Sequence, residues 1–110
     1  MLYDKKWDEI KPITKPLEPW QQTLLEAAHE LRTRGWCQGV SEDRYGRVCL
    51  FGALSLAVGG NPKYIPHDQS HQFEPLMNKL TSVGYSIPWN DTKGRTKEEV
   101  IAALEKVAGV

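Results

Sequence analysis

The sequence predicts an all-α protein: a small four-helix domain with a central buried helix and an N-terminal arm. In three segments, apolar residues recur every three or four positions, which is the periodicity of a helix with one buried face. A fourth segment, residues 48–58, is apolar on all sides, as in a helix enclosed by others. The 110 residues are enough to bury one core without disulfides or metals.

The chain divides near its first prolines. Residues 1–18 are predicted to form an arm, because Pro12 and Pro16 prevent a long helix there. Residues 19–110 are predicted to form a single helical domain. The apolar residues of the arm are expected to hold it against that domain; they are Trp7, Ile10, Ile13 and Leu17.

The first helix is predicted near residues 19–34. Pro19 suits the first position of a helix, where no backbone N–H needs a helical partner, and Gly35 suits the position after the end. Glu30 and Arg34 are spaced for an ion pair one turn apart. The expected buried face consists of Trp20, Leu24, Leu25, Ala27, Ala28 and Leu31.

The second helix is predicted near residues 48–58. An apolar run of this length also fits a buried strand. Small residues favour a helix in close contact with its neighbours, and Gly59 with Gly60 would end it. The small residues of the run are Gly52, Ala53, Ser55 and Ala57.

Two more helices are predicted near residues 71–83 and 97–108. Pro75 fits only the first turn of a helix, so the third helix must start between residues 70 and 74. Thr96 and Glu99 form a capping box at the start of the last helix. The expected buried faces are Phe73, Leu76, Met77, Leu80 and Val83 in the third helix, and Val100, Ile101, Leu104 and Val107 in the last.

Composition narrows the class of function. Fourteen basic and fourteen acidic residues give a net charge of zero, which disfavours nucleic-acid binding. A local basic surplus is confined to Arg32, Arg34, Arg44 and Arg47. No apolar run is long enough to cross a membrane, and the N-terminus is polar from the start. With only two cysteines, the protein is predicted to be cytoplasmic, with free thiols.

Three short segments carry a resemblance to a known family. They are GWCQG at residues 35–39, GRVCLFGAL at residues 46–54 and WNDTKGRTKEEV at residues 89–100. In this order, between helices, they resemble a family of small uncharacterised bacterial and phage domains, over roughly residues 20–108. That family has no assigned activity, cofactor or catalytic residue, so the resemblance implies none here. Its members often have threonine at the position of Cys37, which argues against a catalytic thiol.

The resemblance implies that the loops around residues 36–39 and 89–91 lie together. Loops held by a helical scaffold often form binding sites. The alternative is structural, and we favour it: Gln38, Asn90 and Asp91 bind backbone groups, as such residues do in turns. Trp36 and Trp89 then close the open end of the core, while Gly39 and Gly94 supply positive φ angles. If the loops do form a binding site, its residues are Trp36, Gln38, Arg47, Trp89, Asn90, Asp91 and Arg95.

A Cys-dependent enzyme is the runner-up hypothesis. Cys37, with His67 or His71 and with Asp91, supplies the residue types of a thiol nucleophile, a base and an orienting carboxylate. Cys37 follows the end of a helix, however, and the helix dipole there opposes a thiolate. We therefore assign no catalytic residue.

A zinc site would have to use Cys37, Cys49, His67 and His71. The two histidines are suitably spaced, but eleven residues separate the cysteines, whereas structural zinc sites use closely spaced pairs. We predict neither a metal nor a cofactor.

The sequence therefore predicts a small non-enzymatic interaction or regulatory domain, such as a phage accessory protein. We expect it to bind a protein partner or a second copy of itself, and to bind neither nucleic acid nor membranes. Trp7 and Trp20, near the arm, are the expected contacts with a partner.

Overall fold

The computed structural model describes residues 16–62 and 72–110. The described residues form five helices and no strand, which confirms the predicted all-α class. Residues 1–15, with most of the predicted arm and its Trp7, Ile10 and Ile13, lie outside the described residues. The helices are α1 (Pro19–Arg34), α2 (Leu50–Ala57), α3 (Phe73–Ser82), α4 (Ile87–Asn90) and α5 (Lys97–Ala108).

Helix α2 is the centre of the core, as predicted. Its first six residues, from Leu50 to Ser55, are all buried. Helix α1 packs against both α2 and α5. Four residues of the predicted face of α1 are buried, and Thr23 is buried with them; the buried set is Thr23, Leu24, Ala27, Ala28 and Leu31. Trp20 and Leu25, which were also predicted to be buried, are only partly buried at the edge of the core. Helix α1 therefore lies between the central helix α2 and the last helix α5.

The predicted boundaries of α2 were too wide by two residues at the start. Val48 is not helical: its backbone forms isolated bridges with Trp36 and Glu42. Cys49 caps the helix instead, since its sulfur accepts a hydrogen bond from the N–H of Gly52 at 3.4 Å. The backbone hydrogen bonds to the preceding loop hold Val48 in an extended conformation, which an apolar pattern alone does not reveal.

Helices α3 and α5 begin as predicted, with Pro75 in the first turn of α3 and a capping box at α5. There the N–H of Thr96 donates to Glu99 Oε1 at 2.9 Å, and the N–H of Glu99 donates to Thr96 Oγ1 at 3.2 Å. The expectation that Val83 is buried was wrong. It follows the last residue of α3 and is 61% exposed, because the chain leaves the helix one residue before the periodic pattern ends.

Helix α4 is a fifth, short helix inside a segment that was predicted to be irregular. Ser86 caps it by accepting a hydrogen bond from the N–H of Trp89 at 3.3 Å, and Pro88 lies in its first turn. A helix of four residues is too short to show a periodic apolar pattern. None of the helices in the described part of the chain is long and apolar enough to cross a membrane.

Candidate functional site: the loop cluster beside helix α2

Two segments meet at the start of α2. The first loop segment is residues 35–49, between α1 and α2. The second loop segment is residues 84–96, between α3 and α5, and it includes α4. Together we call them the loop cluster. It contains all seven residues predicted to form a binding site. Its geometry shows what each of them contacts.

Asn90, the last residue of α4, joins three parts of the chain. It is 1% exposed. Its side-chain oxygen accepts hydrogen bonds from the indole N–H of Trp36 at 2.8 Å and from the backbone N–H of Leu50 at 3.1 Å. Its side-chain nitrogen donates to the carbonyl of Cys37 at 3.4 Å and to Asp91 Oδ1 at 2.9 Å. The amide therefore uses its full hydrogen-bonding capacity, and the first N–H of α2, which has no helical partner, is satisfied.

Two further side chains hold the first loop segment against the second. Gln38 Nε2 donates to the carbonyls of Asn90 at 3.0 Å and Thr92 at 2.9 Å. The backbone N–H of Gly39 donates to Asp91 Oδ1 at 3.0 Å, and Gly39 has the expected positive φ of 84°. The backbone contacts predicted for Gln38, Asn90 and Asp91 are thus confirmed.

The first loop segment also lies directly against α2. A Cβ atom at Gly52 would lie 2.2 Å from the carbonyl oxygen of Ser41. That carbonyl accepts a hydrogen bond from the N–H of Cys49 at 3.1 Å. Only glycine permits this approach between the loop and the buried helix.

Trp89 and Arg95 are engaged within the protein. The guanidinium carbon of Arg95 lies 4.1 Å from the centroid of the Trp89 ring system, and Arg95 Nε donates to the Trp89 carbonyl at 3.0 Å. Arg95 also pairs with Glu99 at 3.6 Å. Tyr85 meets the Trp89 ring edge to face, with 4.8 Å between the centroids. These contacts join α4 to the start of α5, so both residues have a structural role.

A cleft of about 510 Å³ lies along the first loop segment. Tyr45, at its edge, is 68% exposed. The guanidinium carbons of Arg44 and Arg47 lie 5.1 and 5.2 Å from the centroid of its ring. Asp43 fixes Arg47 through an ion pair of 2.6 Å. Three of the predicted binding residues line this cleft; they are Trp36, Gln38 and Arg47.

A second, apolar pocket of about 170 Å³ lies between the loop cluster, α2 and α3. Phe51 and Met77 are among its walls. Val40 and Ile87 also line it and are 52% and 55% exposed. Asp91 is the one charged residue among the described residues that line the pocket. It makes no ion pair with any of them or with the rest of the described chain.

The two cysteines are buried and free. Burial raises the pKa of the Cys37 thiol to about 11, and the negative charge of Asp43 contributes to the increase. The pKa of Cys49 is also raised, mainly by burial. Cys37 Sγ donates to the carbonyl of Arg47 at 3.3 Å. These surroundings stabilise neutral thiols, whereas a nucleophilic cysteine needs a stabilised thiolate.

The two histidines of the hypothetical catalytic and zinc sets, His67 and His71, lie outside the described residues. Both sets therefore include residues that the structure does not describe. Within residues 16–62 and 72–110, no group of three or more histidine, cysteine, aspartate and glutamate side chains is arranged to hold a metal ion.

The predicted basic surplus is largely neutralised. Three of its four arginines pair with carboxylates. Arg32 pairs with Glu105 at 2.5 Å, and Arg47 pairs with Asp43. Arg34 pairs with Glu30 at 3.1 Å and with Glu42 at 3.3 Å. Arg44 makes no ion pair with any described residue. Of the four guanidinium groups, one therefore lacks a carboxylate partner in the part of the chain that the structure describes.

Trp20, an expected contact with a partner, lies away from the loop cluster. It lines a groove of about 450 Å³ together with Tyr85 and Val107. The ammonium nitrogen of Lys79 lies 4.4 Å from the centroid of its ring system. Trp7, the other expected contact, lies outside the described residues.

Sequence reasoning missed three exposed apolar residues of the loop cluster, namely Val40, Tyr45 and Ile87. Exposure of an apolar side chain in a loop depends on how the loop folds, and no periodic pattern reveals it. The one local signal was Gly46, which indicates a turn directly after Tyr45.

The fold and the loop cluster define a small all-α domain in which one buried amide joins two loops to the start of the central helix. The chain belongs to a family of unknown function, DUF6197, whose family model matches residues 15–110. The predicted resemblance to a family without an assigned activity is confirmed at this level, while its bacterial or phage origin stays a prediction. No curated protein and no solved structure matches the chain.

Proposed function

We propose that this protein is a non-enzymatic protein-binding domain and that the loop cluster carries its binding surface. The observation that carries this proposal is the exposed Tyr45 ring between Arg44 and Arg47, at a cleft that Trp36 also lines. Tyrosine, tryptophan and arginine are the residue types that contribute most of the binding energy in protein interfaces. Their presence at one cleft favours a protein partner.

The backbone beneath this surface is held in place before any partner binds. Hydrogen bonds from Gln38 and Gly39 to the second loop segment fix the first, and Asn90 ties both segments to α2. A surface that is already ordered loses less conformational entropy on binding, so more of the contact energy appears as affinity. This supports a binding role for the cluster as a whole.

The thiol chemistry supports binding over catalysis by Cys37. A pKa of about 11 leaves almost no thiolate at neutral pH. We expect iodoacetamide to modify Cys37 at pH 6 no faster than it modifies the same cysteine in the unfolded chain. Rapid labelling that is abolished by His67→Ala or His71→Ala would support the Cys-dependent enzyme instead.

The charge distribution supports a protein partner over nucleic acid, since three of the four arginines in the basic stretch already pair with carboxylates. Binding to generic DNA that weakens steeply with salt would contradict this part of the proposal. The proposed location is the cytoplasm, where two free thiols stay reduced.

Site-specific photo-crosslinking in cells of the source organism tests the proposal. A photoreactive amino acid replaces Tyr45 in one sample. In the control it replaces Val83, which is comparably exposed at 61% and lines the separate Trp20 groove, so the pair of samples distinguishes the two surfaces. We expect position 45 to crosslink to one or a few defined proteins and position 83 to give only background. With the purified partner, Tyr45→Ser should weaken binding by at least about tenfold, and Val83→Ser should not. Equal crosslinking at the two positions would contradict a binding surface at the loop cluster.

A further inference from the structure

The apolar pocket of the loop cluster is large enough for one aromatic ring. Its volume is about 170 Å³, and an apolar protein cavity of about 150 Å³ is known to hold benzene. Phe51 and Met77 supply apolar walls, and the exposed Val40 and Ile87 also line the pocket. Asp91 contributes a carboxylate whose Oδ1 accepts bonds from Gly39 and Asn90 and which has no described cationic partner. An occupant that presents a ring beside a cation would match both features.

The same chain presents such a group. Five large apolar side chains are exposed among the described residues: Val40, Tyr45, Val83, Ile87 and Val110. Two of them, Val40 and Ile87, already belong to the pocket. Tyr45 is the most exposed of the five and the only aromatic one, and it follows Arg44, which lacks a carboxylate partner among the described residues.

We infer that the pocket receives Tyr45 from a second copy of this chain, while Arg44 of that copy pairs with Asp91. This inference rests on the proposed function, because it names the partner of the same surface. Tyr45 belongs to the same loop segment as Gly39 and Val40, which line one side of the pocket. A two-fold axis between two copies makes the contact reciprocal, so each copy gives one ring and receives one.

The existing contacts of Tyr45 are compatible with this arrangement. Arg47 is held by its ion pair with Asp43, with its guanidinium carbon 5.2 Å from the centroid of the ring. Arg44 pairs with no carboxylate in the described part of the chain, so its guanidinium is available to the other copy. Charge complementarity between Arg44 and Asp91 selects the orientation of the two copies, and it makes the association weaker at high salt.

Sedimentation equilibrium of the full chain, from about 5 to about 500 µM, tests the inference. We expect the mass to rise from 12.5 kDa toward twice that value. Tyr45→Ser and Arg44→Glu remove the ring and reverse the charge, and each should raise the dissociation constant at least about tenfold. Val83→Ser and Lys106→Glu make matched changes at exposed positions of the separate Trp20 groove. Each should leave the dissociation constant within about twofold, because the inferred contact does not use that groove.

A mixing experiment tests the reciprocal geometry. Ile87→Lys places a cation at the pocket beside Asp91 and blocks entry, but it leaves Tyr45 intact. Neither Tyr45→Ser nor Ile87→Lys alone forms a ring-in-pocket contact. An equimolar mixture restores one of the two contacts, because the intact pocket of the first variant receives the intact ring of the second. We expect mixed dimers where each variant alone is monomeric.

Three outcomes would overturn the inference: a chain that stays at 12.5 kDa throughout, a dimer insensitive to Tyr45→Ser and Arg44→Glu, or a mixture that behaves as the sum of its parts. A monomer whose position 45 nevertheless crosslinks to a different protein would refute self-association alone and leave the proposed binding function intact. A monomer without such crosslinks would refute both.

Discussion

The side-chain oxygen of Asn90 lies 3.1 Å from the backbone nitrogen of Leu50, the first residue of the central helix. Both residues are buried. Through this one hydrogen bond, a loop forty positions later in the chain satisfies a helix terminus that would otherwise be unpaired in the core. The loop cluster and the core therefore depend on each other, and the stability of one reports on the other.

Asn90→Ala is expected to lower the free energy of unfolding by about 3 kcal/mol. The change leaves the Leu50 N–H, the Trp36 indole N–H and the Cys37 carbonyl without their side-chain partner in a buried site, and each orphaned group costs on the order of 1 kcal/mol or more. Urea denaturation followed by circular dichroism measures the change. The control is Asn78→Ala on the exposed face of α3. Equal effects of the two substitutions would contradict the central role of Asn90.

Gly52→Ala is expected to destabilise the protein, although alanine normally favours a helix over glycine. The added methyl group would lie 2.2 Å from the Ser41 carbonyl, so the loop or the helix must move. Overpacking of this kind costs about 1–3 kcal/mol. Thermal denaturation measures the loss, and Gly52→Ser should be at least as damaging. A variant with an unchanged or higher melting temperature would show that the loop does not press against α2.

Ser55→Ala is expected to have the opposite effect and to raise the free energy of unfolding by about 1 kcal/mol. Ser55 is fully buried in α2, and its hydroxyl has no hydrogen-bond partner among the described residues. Removing an unsatisfied buried hydroxyl recovers its desolvation cost, and alanine is a better helix former. A rise in the midpoint of urea unfolding would confirm this. A loss of stability would mean that the hydroxyl has a partner, such as a buried water.

Cys37 is expected to make stability fall with pH above about 9. Its pKa in the folded protein is raised from 9.0 to about 11, mainly by burial, so the folded state favours the neutral thiol. Between these two values the unfolded chain loses its proton more readily than the folded one, and ionisation then favours unfolding. The stabilisation that the neutral Cys37 thiol gives the folded state is complete below pH 9 and is lost as the pH rises through 11.

Urea unfolding at several pH values between 8 and 11, with Cys37→Ala as the comparison, measures this contribution. The wild-type protein should lose more stability over this range than the variant does, since only the wild type has this thiol to titrate. If the two proteins lost the same stability over this pH range, ionisation of the buried Cys37 thiol would not be the cause of the loss.

Tyr45→Ser is expected to change the free energy of unfolding by less than about 0.5 kcal/mol. The side chain is 68% exposed and is not part of the core, so its loss should affect binding without affecting the fold. Urea unfolding of the variant checks this directly. A large loss of stability would mean that the Tyr45 ring stabilises the loop cluster itself. Weaker binding by this variant would then reflect partial unfolding as well as the loss of a contact.

The positions of the four longer helices were predictable because their signals are local. In α1, Pro19, the spacing of apolar residues and Gly35 all lie within the segment itself. The Thr96–Glu99 capping box likewise needs only its own neighbours. Even the buried state of α2 followed from its sequence, since a run without a polar face has to be enclosed.

The contacts within the loop cluster were harder to predict from the sequence. Asparagine in a turn is expected to bind backbone groups, but its partners cannot be inferred from its neighbours. Asn90 bonds to groups 40 to 54 positions away. Val48 was assigned to α2 because it is apolar, although its backbone pairs with residues of the preceding loop.

By itself, the sequence determined the helical class, most of the buried residues of each longer helix and the buried state of α2, because helix propensity, capping and apolar periodicity act over a few neighbouring residues. Only the tertiary structure decided that Asn90 joins both loops to Leu50 and that the Cys37 thiol is held neutral. It also decided that Tyr45 stays exposed and that an apolar pocket lies between the loop cluster, α2 and α3. These properties arise between residues that are distant in the chain, and folding alone brings them together.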